Sequence, residues 1–292
     1  MFDIKTYFED HMIHYDEEGD NVTEGWVNIQ CIFCSDSANH LGINIESGNY
    51  HCWKCGTSGN IWSLLKEIEN CSFKKIKMIY GKYQTENYFP KNKEQTKKDI
   101  QKILPKEATK EFQNVHLNYL RKRRYIPEYV IQKYDLYATK MFGDYRFRII
   151  FPFFYNKKII TFSSVDVTGK SRNKYKHASK ENSIIDPKNA LYNVDNCYDS
   201  VVLVEGIFDC WRIGDGAIAL MGTKYTQKQI EQLIELRFKK LLVMFDSDAI
   251  KFSHRLANQL SPFADVEVIE IERGDPDDLP NKYVQQVRKW IK

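Results

Sequence analysis

In the C-terminal part of the chain, short apolar runs alternate with stretches whose apolar residues recur every three or four positions. VVLVEG (201–206) is a β-branched run ended by glycine, the signature of a buried parallel strand. Ile207 to Ile213 then takes helical spacing and puts Asp209 one turn beyond Glu205. A second unit repeats the design. Lys240 to Phe245 reads as a strand with Asp246-Ser247-Asp248 at its end, preceded by an amphipathic helix over Gln227–Leu236. A helix over Ser253–Leu260 and a third strand over Val266–Ile271 follow, and one terminal helix fits between Asp278 and Lys292. Strands alternating with helices predict a mainly parallel sheet flanked by helices, an α/β fold.

The N-terminal part reads differently. LGINIESGNYH (41–51) predicts a small β ribbon turning at Ser47-Gly48-Asn49, and Ile61 to Ile68 a short amphipathic helix capped by Gly59-Asn60. From about Gln84 to Lys110 the chain turns polar and lysine-rich, with Pro90 and Pro105 as breakers. That stretch reads as a linker, or alternatively as a solvated helix of the next domain; a tether would let the ribbon reach over a site it is not built into. The domain organisation expected is therefore 1–83, a linker over 84–110, a mixed α+β basic subdomain over 111–198 and the α/β subdomain over 199–292.

Composition narrows the function classes. At 292 residues, 42% hydrophobic and 14% aromatic, the chain can bury real cores, and a net charge of +4 rules out a histone-like polycation. Nucleic-acid binding must then come from local patches. No apolar run approaches the roughly 18 residues of a membrane span, and the N-terminus is no signal peptide, so a reducing, cytoplasmic setting is expected. Disulfides are improbable there, and clustered cysteines become metal candidates.

Two C-x2-C pairs, Cys31/Cys34 and Cys52/Cys55, lie seventeen residues apart. Each turn can place two thiolates on one ion, which is the spacing of a tetrahedral structural zinc site. Four thiolates satisfy the metal, so His40 and His51 are not expected to be ligands, and Cys71, Cys197 and Cys210 read as ordinary thiols. Beside the second knuckle, Tyr50, Trp53 and Lys54 suit a base-stacking platform for single strands, or else the rings pack a small core.

Further along, Glu205, Asp246 and Asp248 arrive at the carboxyl ends of strands, where open α/β sheets bind ligands, with Asp209 close by. GDPDD (274–278), carrying Asp275 and Asp277, can close the same rim. So many acids need a countercharge, and Mg²⁺, which takes a few carboxylates and keeps waters for substrate phosphates, meets that need.

VEGIFD, FDSD and GDPDDL, in that order, resemble the Toprim signature, and a four-cysteine ribbon ahead of it resembles the DNA primases of bacteria and their phages. The segment from Cys31 to Leu65 is similar to their zinc-binding domain, with Cys34 where many members carry histidine. YLRKRRYIPEYVIQKYDL resembles the entry to their polymerase domain, and the stretch from Arg146 to Tyr192 its basic subdomain. The resemblance implies synthesis of a short RNA primer from NTPs on a single-stranded DNA template, by two-metal chemistry with Mg²⁺ or Mn²⁺. Glu205 is implied as metal ligand or general base. Asp246 and Asp248 are expected to hold the metal, with Asp209, Asp275 and Asp277 in support or on a further ion.

Positive charge should face these acids. Arg146, Arg148 and the segment Lys170–His177, with Tyr175 interleaved, are the candidates; Arg121–Arg124 adds a cluster that can equally be a solvated helix face. Lys174-Tyr175 matches the family's K-Y motif, and Lys188 precedes the Leu191-Tyr192 pair as a lysine does in the family. Many members carry arginine where this chain has Val165, so either Arg172 substitutes or nucleotide affinity is weaker. There is no G-x-x-x-x-G-K-[ST], so a replicative helicase would have to be recruited in trans. Abundant Lys, Asn and Ile suggest a phage or mobile-element gene in a bacterial host. Two other classes use parts of the same set: a Toprim nuclease or strand-transfer enzyme, and a non-catalytic single-strand-binding accessory protein.

Overall fold

The computed structural model describes residues 2–84 and 103–291, and the chain divides into two compact units, residues 1–88 and 89–292. Most of the linker expected over 84–110 lies outside the described residues.

The first unit begins with helix α1 (Ile4–Asp10) and continues with four short antiparallel strands in sequential order, β1 (Trp26–Ile29), β2 (Leu41–Asn44), β3 (Asn49–Cys52) and β4 (Ser58–Asn60). The expected ribbon is the β2–β3 hairpin, reversed at Gly48 (φ +68°), whose N–H donates to Asn44 O at 2.8 Å. Helices α2 (Ile61–Glu69) and α3 (Phe73–Lys82) complete the unit. Asn60 caps α2 reciprocally with Ser63, each side chain accepting from the other's backbone N–H. Gly59 just before it is required by crowding: a Cβ there would lie 2.6 Å from Ser63 Oγ and 2.7 Å from the Tyr50 hydroxyl. Tyr7, Phe8, Leu64, Leu65 and Ile76 are wholly buried, which at about 1.5–3 kcal/mol per large apolar side chain stabilises the layer behind the ribbon.

In the second unit, α4 (Asn114–Lys122) and α5 (Pro127–Lys133) lead into an antiparallel sheet in sequential order, β5 (Tyr137–Ala138), β6 (Arg148–Tyr155), β7 (Lys158–Asp166) and β8 (Tyr175–His177). The α/β part follows as β9 (Ser200–Val204), α6 (Ile207–Ile213), β10 (Ala217–Ala219), α7 (Gln227–Glu235), β11 (Lys240–Val243), α8 (Ile250–Leu260), β12 (Asp265–Val268) and α9 (Asn281–Trp290). Its four strands are all parallel, in the order β10-β9-β11-β12. Three differences from the sequence expectation stand out: β10 is an additional edge strand, β12 runs over 265–268 instead of 266–271, and α8 starts three residues early.

The order 10-9-11-12 reverses direction between β9 and β11, which makes their carboxyl ends the topological switch point. One core serves both sheets of this unit. Ile149, Phe151 and Phe153 of β6 pack with Val202, Val204, Phe208, Trp211 and Ile213, and Trp211 stacks on Tyr134 with ring centroids 4.8 Å apart. Its indole N–H donates to the Tyr192 hydroxyl at 2.8 Å. The basic lobe and the α/β lobe are thereby held in a fixed relation. No described helix is long and apolar enough to cross a membrane.

Candidate active site and metal centres

Cys31 and Cys34 sit on the turn after β1, Cys52 at the end of β3 and Cys55 on the turn beyond it. Their four sulfurs all lie within 4.8 Å of one another, with Cys31 and Cys55 at 4.0 Å. Sulfurs bound at about 2.3 Å around one tetrahedral zinc stand about 3.8 Å apart, so the cage fits zinc as it is folded. Burial and the three neighbouring sulfurs push the Cys34 thiol up, while the Thr57 hydroxyl and N–H pull Cys55 down. A cation that accepts thiolates resolves that conflict.

The sequence reading missed the group that shapes the first knuckle. Asp36 is buried, and its carboxylate accepts from the backbone N–H of Cys31 (3.1 Å), Ala38 (3.1 Å) and His40 (2.7 Å) and from His40 Nδ1 (2.7 Å). Burial alone would raise this carboxyl, but the four donors outweigh it and hold it well below the usual carboxylate range. His40 is engaged by Asp36. The readable signal was an acid two residues after a zinc cysteine with histidine four further on.

The structure separates the two ribbon aromatics. Tyr50 is 5% exposed, stacked on Phe33 at 5.4 Å, and cannot offer its face to a base; it belongs to the core. Trp53 is 53% exposed beside His51 (4.5 Å) and Trp26 (6.2 Å) and stays available.

At the switch point, Glu205 follows β9 directly and Asp246 lies three residues past the end of β11. Glu205 Oε1 accepts from the Asp246 N–H at 3.0 Å, so the two acids adjoin. Burial raises the Asp246 carboxyl to about 7, helped by the charges of Glu205, Asp275 and Asp248. Glu205 is likewise raised by burial and by Asp248 and Asp275. Asp209, mostly buried on the first turn of α6, is raised to about 8 by burial and then by Asp246, although it accepts from Gly206 N–H at 2.8 Å. Asp246 Oδ1 is buried and has no hydrogen-bond partner. Crowded acids around an orphaned oxygen suit a hard divalent cation. Among the described residues, though, no acid trio reaches the 4.8 Å spacing of the cysteines.

Asp277 stands apart from the other rim acids. It accepts from the Tyr125 hydroxyl at 2.6 Å and pairs with Arg123 Nη1 at 3.4 Å. Both residues lie in the YLRKRRYIPEYVIQKYDL stretch and Arg123 in the Arg121–Arg124 cluster, but nothing in either pattern points to Asp277.

The basic residues divide in the same way. Arg146, Arg172, Lys174 and Lys188 are exposed, and Tyr175 is 39% exposed. Burial lifts the Tyr175 phenol to about 12, with Tyr119 and the charges of Asp209 and Asp277 adding to the rise, so the ring lies within electrostatic reach of those two acids. Arg148, expected as a direct contact, is 4% exposed and points into the structure. Its guanidinium donates to Asn173 O (2.6 Å), Lys174 O (3.1 Å) and Ser171 Oγ (3.0 Å), while Asp166 accepts from Gly169 N–H at 2.7 Å on the other side of the loop. It organises the basic loop from beneath. Arg148→Met should therefore cost about 1–3 kcal/mol in urea unfolding, by removing the hydrogen bonds that hold the part-buried loop carbonyls of Asn173 and Lys174. Unchanged stability would remove that role. Val165 lies in the core, Lys170 and Arg172 are both exposed on the loop that follows, and Arg121–Arg124 includes an exposed Arg121 and a half-buried Arg123.

Residues 9–95 match the family described as CHC2 zinc finger, and residues 202–280 match the family described as Toprim-like. The DNA primase of Enterococcus faecalis is 25% identical over 325 aligned positions, taking in 87% of this chain and 51% of that protein. The DNA primases of Chlamydia trachomatis (24% identical; 75% of this chain, 45% of that protein) and Lactococcus lactis (22%; 87% and 48%) are similar too. The chain spans about half the length of these relatives. The crystal structure of the Aquifex aeolicus primase (zinc-binding and RNA polymerase domains) shares the fold, with a TM-score of 0.54 at 18% identity, covering 99% of this chain and 82% of that one. A zinc ribbon followed by a Toprim domain, with carboxylates at the switch point, defines a Toprim-type architecture. By these matches the chain is similar to DNA primases, and it joins the CHC2 zinc finger and Toprim-like matches in one chain.

Proposed function

We propose that the protein synthesises short RNA primers from NTPs on single-stranded DNA during replication. The observation that carries this reading is the meeting of Glu205 and Asp246 across the switch point, with a buried, unpartnered carboxylate oxygen facing no protein donor. Glu205, Asp246, Asp248 and Asp275 would hold Mg²⁺ or Mn²⁺, with Asp209 behind them. When bound, these ions would activate the 3′-hydroxyl and neutralise the departing pyrophosphate. Lys174, Arg172, Arg146 and Lys188 supply exposed positive charge for triphosphate and template, and Tyr175 adds a ring within electrostatic reach of Asp209 and Asp277. Trp53 offers the zinc unit a stacking surface for a template base. In this reading the zinc unit recognises template, and residues 111–198 and 199–292 act as basic and acidic halves of one polymerising module.

The test is primer synthesis with labelled NTPs on a library of random single-stranded templates, with Mg²⁺ or Mn²⁺ added to zinc-loaded protein. Short template-dependent RNA is the expected product. Zinc-loaded protein that binds templates normally yet yields no RNA would refute the reading, and degradation of the input DNA would favour a Toprim nuclease.

A further inference from the structure

Resting on that reading, we infer that Tyr125 is a positioning residue that latches the acid rim to the basic lobe, and that Asp277 serves this latch instead of holding a catalytic cation. The latch starts where α4 ends. Arg124 takes the left-handed region (φ +64°), the Tyr125 N–H returns to Leu120 O at 3.1 Å, and the Tyr125 ring packs against Phe208 and Trp211, with centroids 6.1 and 5.4 Å away. That brings a helix-turn of the basic lobe onto α6, the helix that begins beside Glu205.

The Tyr125 hydroxyl has one proton and two oxygens in reach, Asp277 Oδ1 at 2.6 Å and Phe208 O at 3.1 Å. The shorter, charge-assisted contact to the carboxylate takes it. Arg123 lies over the Phe208 ring at 3.9 Å and addresses Asp277 Oδ2 at 3.4 Å. Both carboxylate oxygens of Asp277 are thus engaged by the basic lobe.

Asp277 sits on the single 3-10 turn Pro276–Asp278, whose N-cap is Asp275, its carboxylate accepting from Asp278 N–H at 3.2 Å. The two acids of the turn share Asp209 as a neighbour and otherwise differ: Asp275 acts also on Glu205 and Asp246, and Asp277 on Tyr125 and Tyr175. Holding Asp277 therefore sets where Asp275 stands in the rim. It also fixes the rim relative to β8, which belongs to the same lobe as Tyr125.

The experiment uses the full zinc-loaded chain in five forms: parent, Tyr125→Phe, Asp277→Ala, Asp277→Asn and the Tyr125→Phe/Asp277→Ala double variant. Mn²⁺ binding is followed by electron paramagnetic resonance, and the KM for NTP in primer synthesis is measured separately. Asparagine keeps an oxygen for Tyr125, loses the acceptor for Arg123 and makes a poor cation ligand, so Asp277→Asn should raise the KM much less than Asp277→Ala and leave the number of Mn²⁺ bound unchanged. Tyr125→Phe and Asp277→Ala should each raise the KM on the order of tenfold, with no further loss in the double variant and an unchanged number of Mn²⁺ bound. Loss of a bound Mn²⁺ in Asp277→Asn with Tyr125→Phe at parental values would overturn the latch and make Asp277 a ligand. Parental Mn²⁺ affinity and KM in Tyr125→Phe would overturn it as well. Should the parent make no RNA, the proposed function fails, and Mn²⁺ affinity takes the place of KM: equal weakening in Tyr125→Phe and Asp277→Ala, with Asp277→Asn weakened much less, still supports the latch, and any other pattern refutes it.

Discussion

Asp246→Asn is expected to lower primer synthesis roughly a thousandfold or more, equivalent to about 4 kcal/mol of transition-state stabilisation, while raising the melting temperature of the second unit in the absence of added Mg²⁺ or Mn²⁺. The two effects have one cause. Burial and three neighbouring acids raise the folded Asp246 carboxyl to about 7, whereas in the unfolded chain it titrates near 3.9. Below about pH 4 the group is protonated in both states and contributes nothing. As pH rises from about 4 to 7 the unfolded chain releases the proton and the folded protein retains it, so stability falls across that window and levels off above it. Asp209, raised to about 8, extends the decline by about a unit. Asparagine removes the Asp246 share of this slope. Allowing for solvent screening of a half-buried group, the gain near neutral pH is about 1 kcal/mol, or about 2–4 °C for a domain of this size. Melting curves between about pH 5 and pH 8 for parent and variant check the sign, and Mg²⁺ should stabilise the parent more at the upper end. Equal pH slopes in both proteins would mean that the acids do not crowd one another as described.

That crowding was legible because its determinants are local. A short apolar run that ends in an acid fixes both a strand and the place where its carboxylate emerges, and Glu205 (after VVLV) and Asp246 (after LLVMF) each follow such a run. The cysteine spacing carried the zinc cage for the same reason. What escaped the sequence depends on partners far along the chain. Tyr125 and Asp277 are 152 positions apart, and nothing near either residue marks the other. Arg148 reads as a surface cation beside Arg146, since two residues apart on a strand would share a face; but Arg146 lies on the turn before β6, Phe147 takes the left-handed region (φ +51°), and the buried Arg148 opens the strand. Tyr50 could have been read correctly. It lies two residues before Cys52, on the face of β3 that the metal pulls inward, while Trp53 falls on the other. Strand β10, only Ala217–Ala219, is too short and too lacking in β-branched residues to register as a pattern.

Zinc removal should act on the first unit alone and should be the largest single loss of stability in the protein. Binding by four thiolates contributes about 10–16 kcal/mol in structural zinc sites at neutral pH. Four strands of three or four residues cannot replace that by their own pairing. The knuckles should therefore open on chelation even though the layer of α1, α2 and α3 keeps its own buried core. Hydrogen exchange should show protection lost across β1–β4 and the Trp26–Trp53 contact released, with the melting transition of the second unit unchanged. Cys52→Ser, at a fully buried sulfur, should reproduce the effect without chelator. Acidification should weaken zinc binding, because burial and neighbouring sulfurs raise the Cys34 thiol and its proton must leave for the metal to bind. Asp36→Ala should give a lesser form of the same defect, since it strips the first knuckle of four hydrogen bonds but leaves every ligand in place. Full protection of β2 and β3 in zinc-free protein would show instead that the Asp36 network and the helical layer hold the ribbon, and that the metal is an addition to a fold already stable without it.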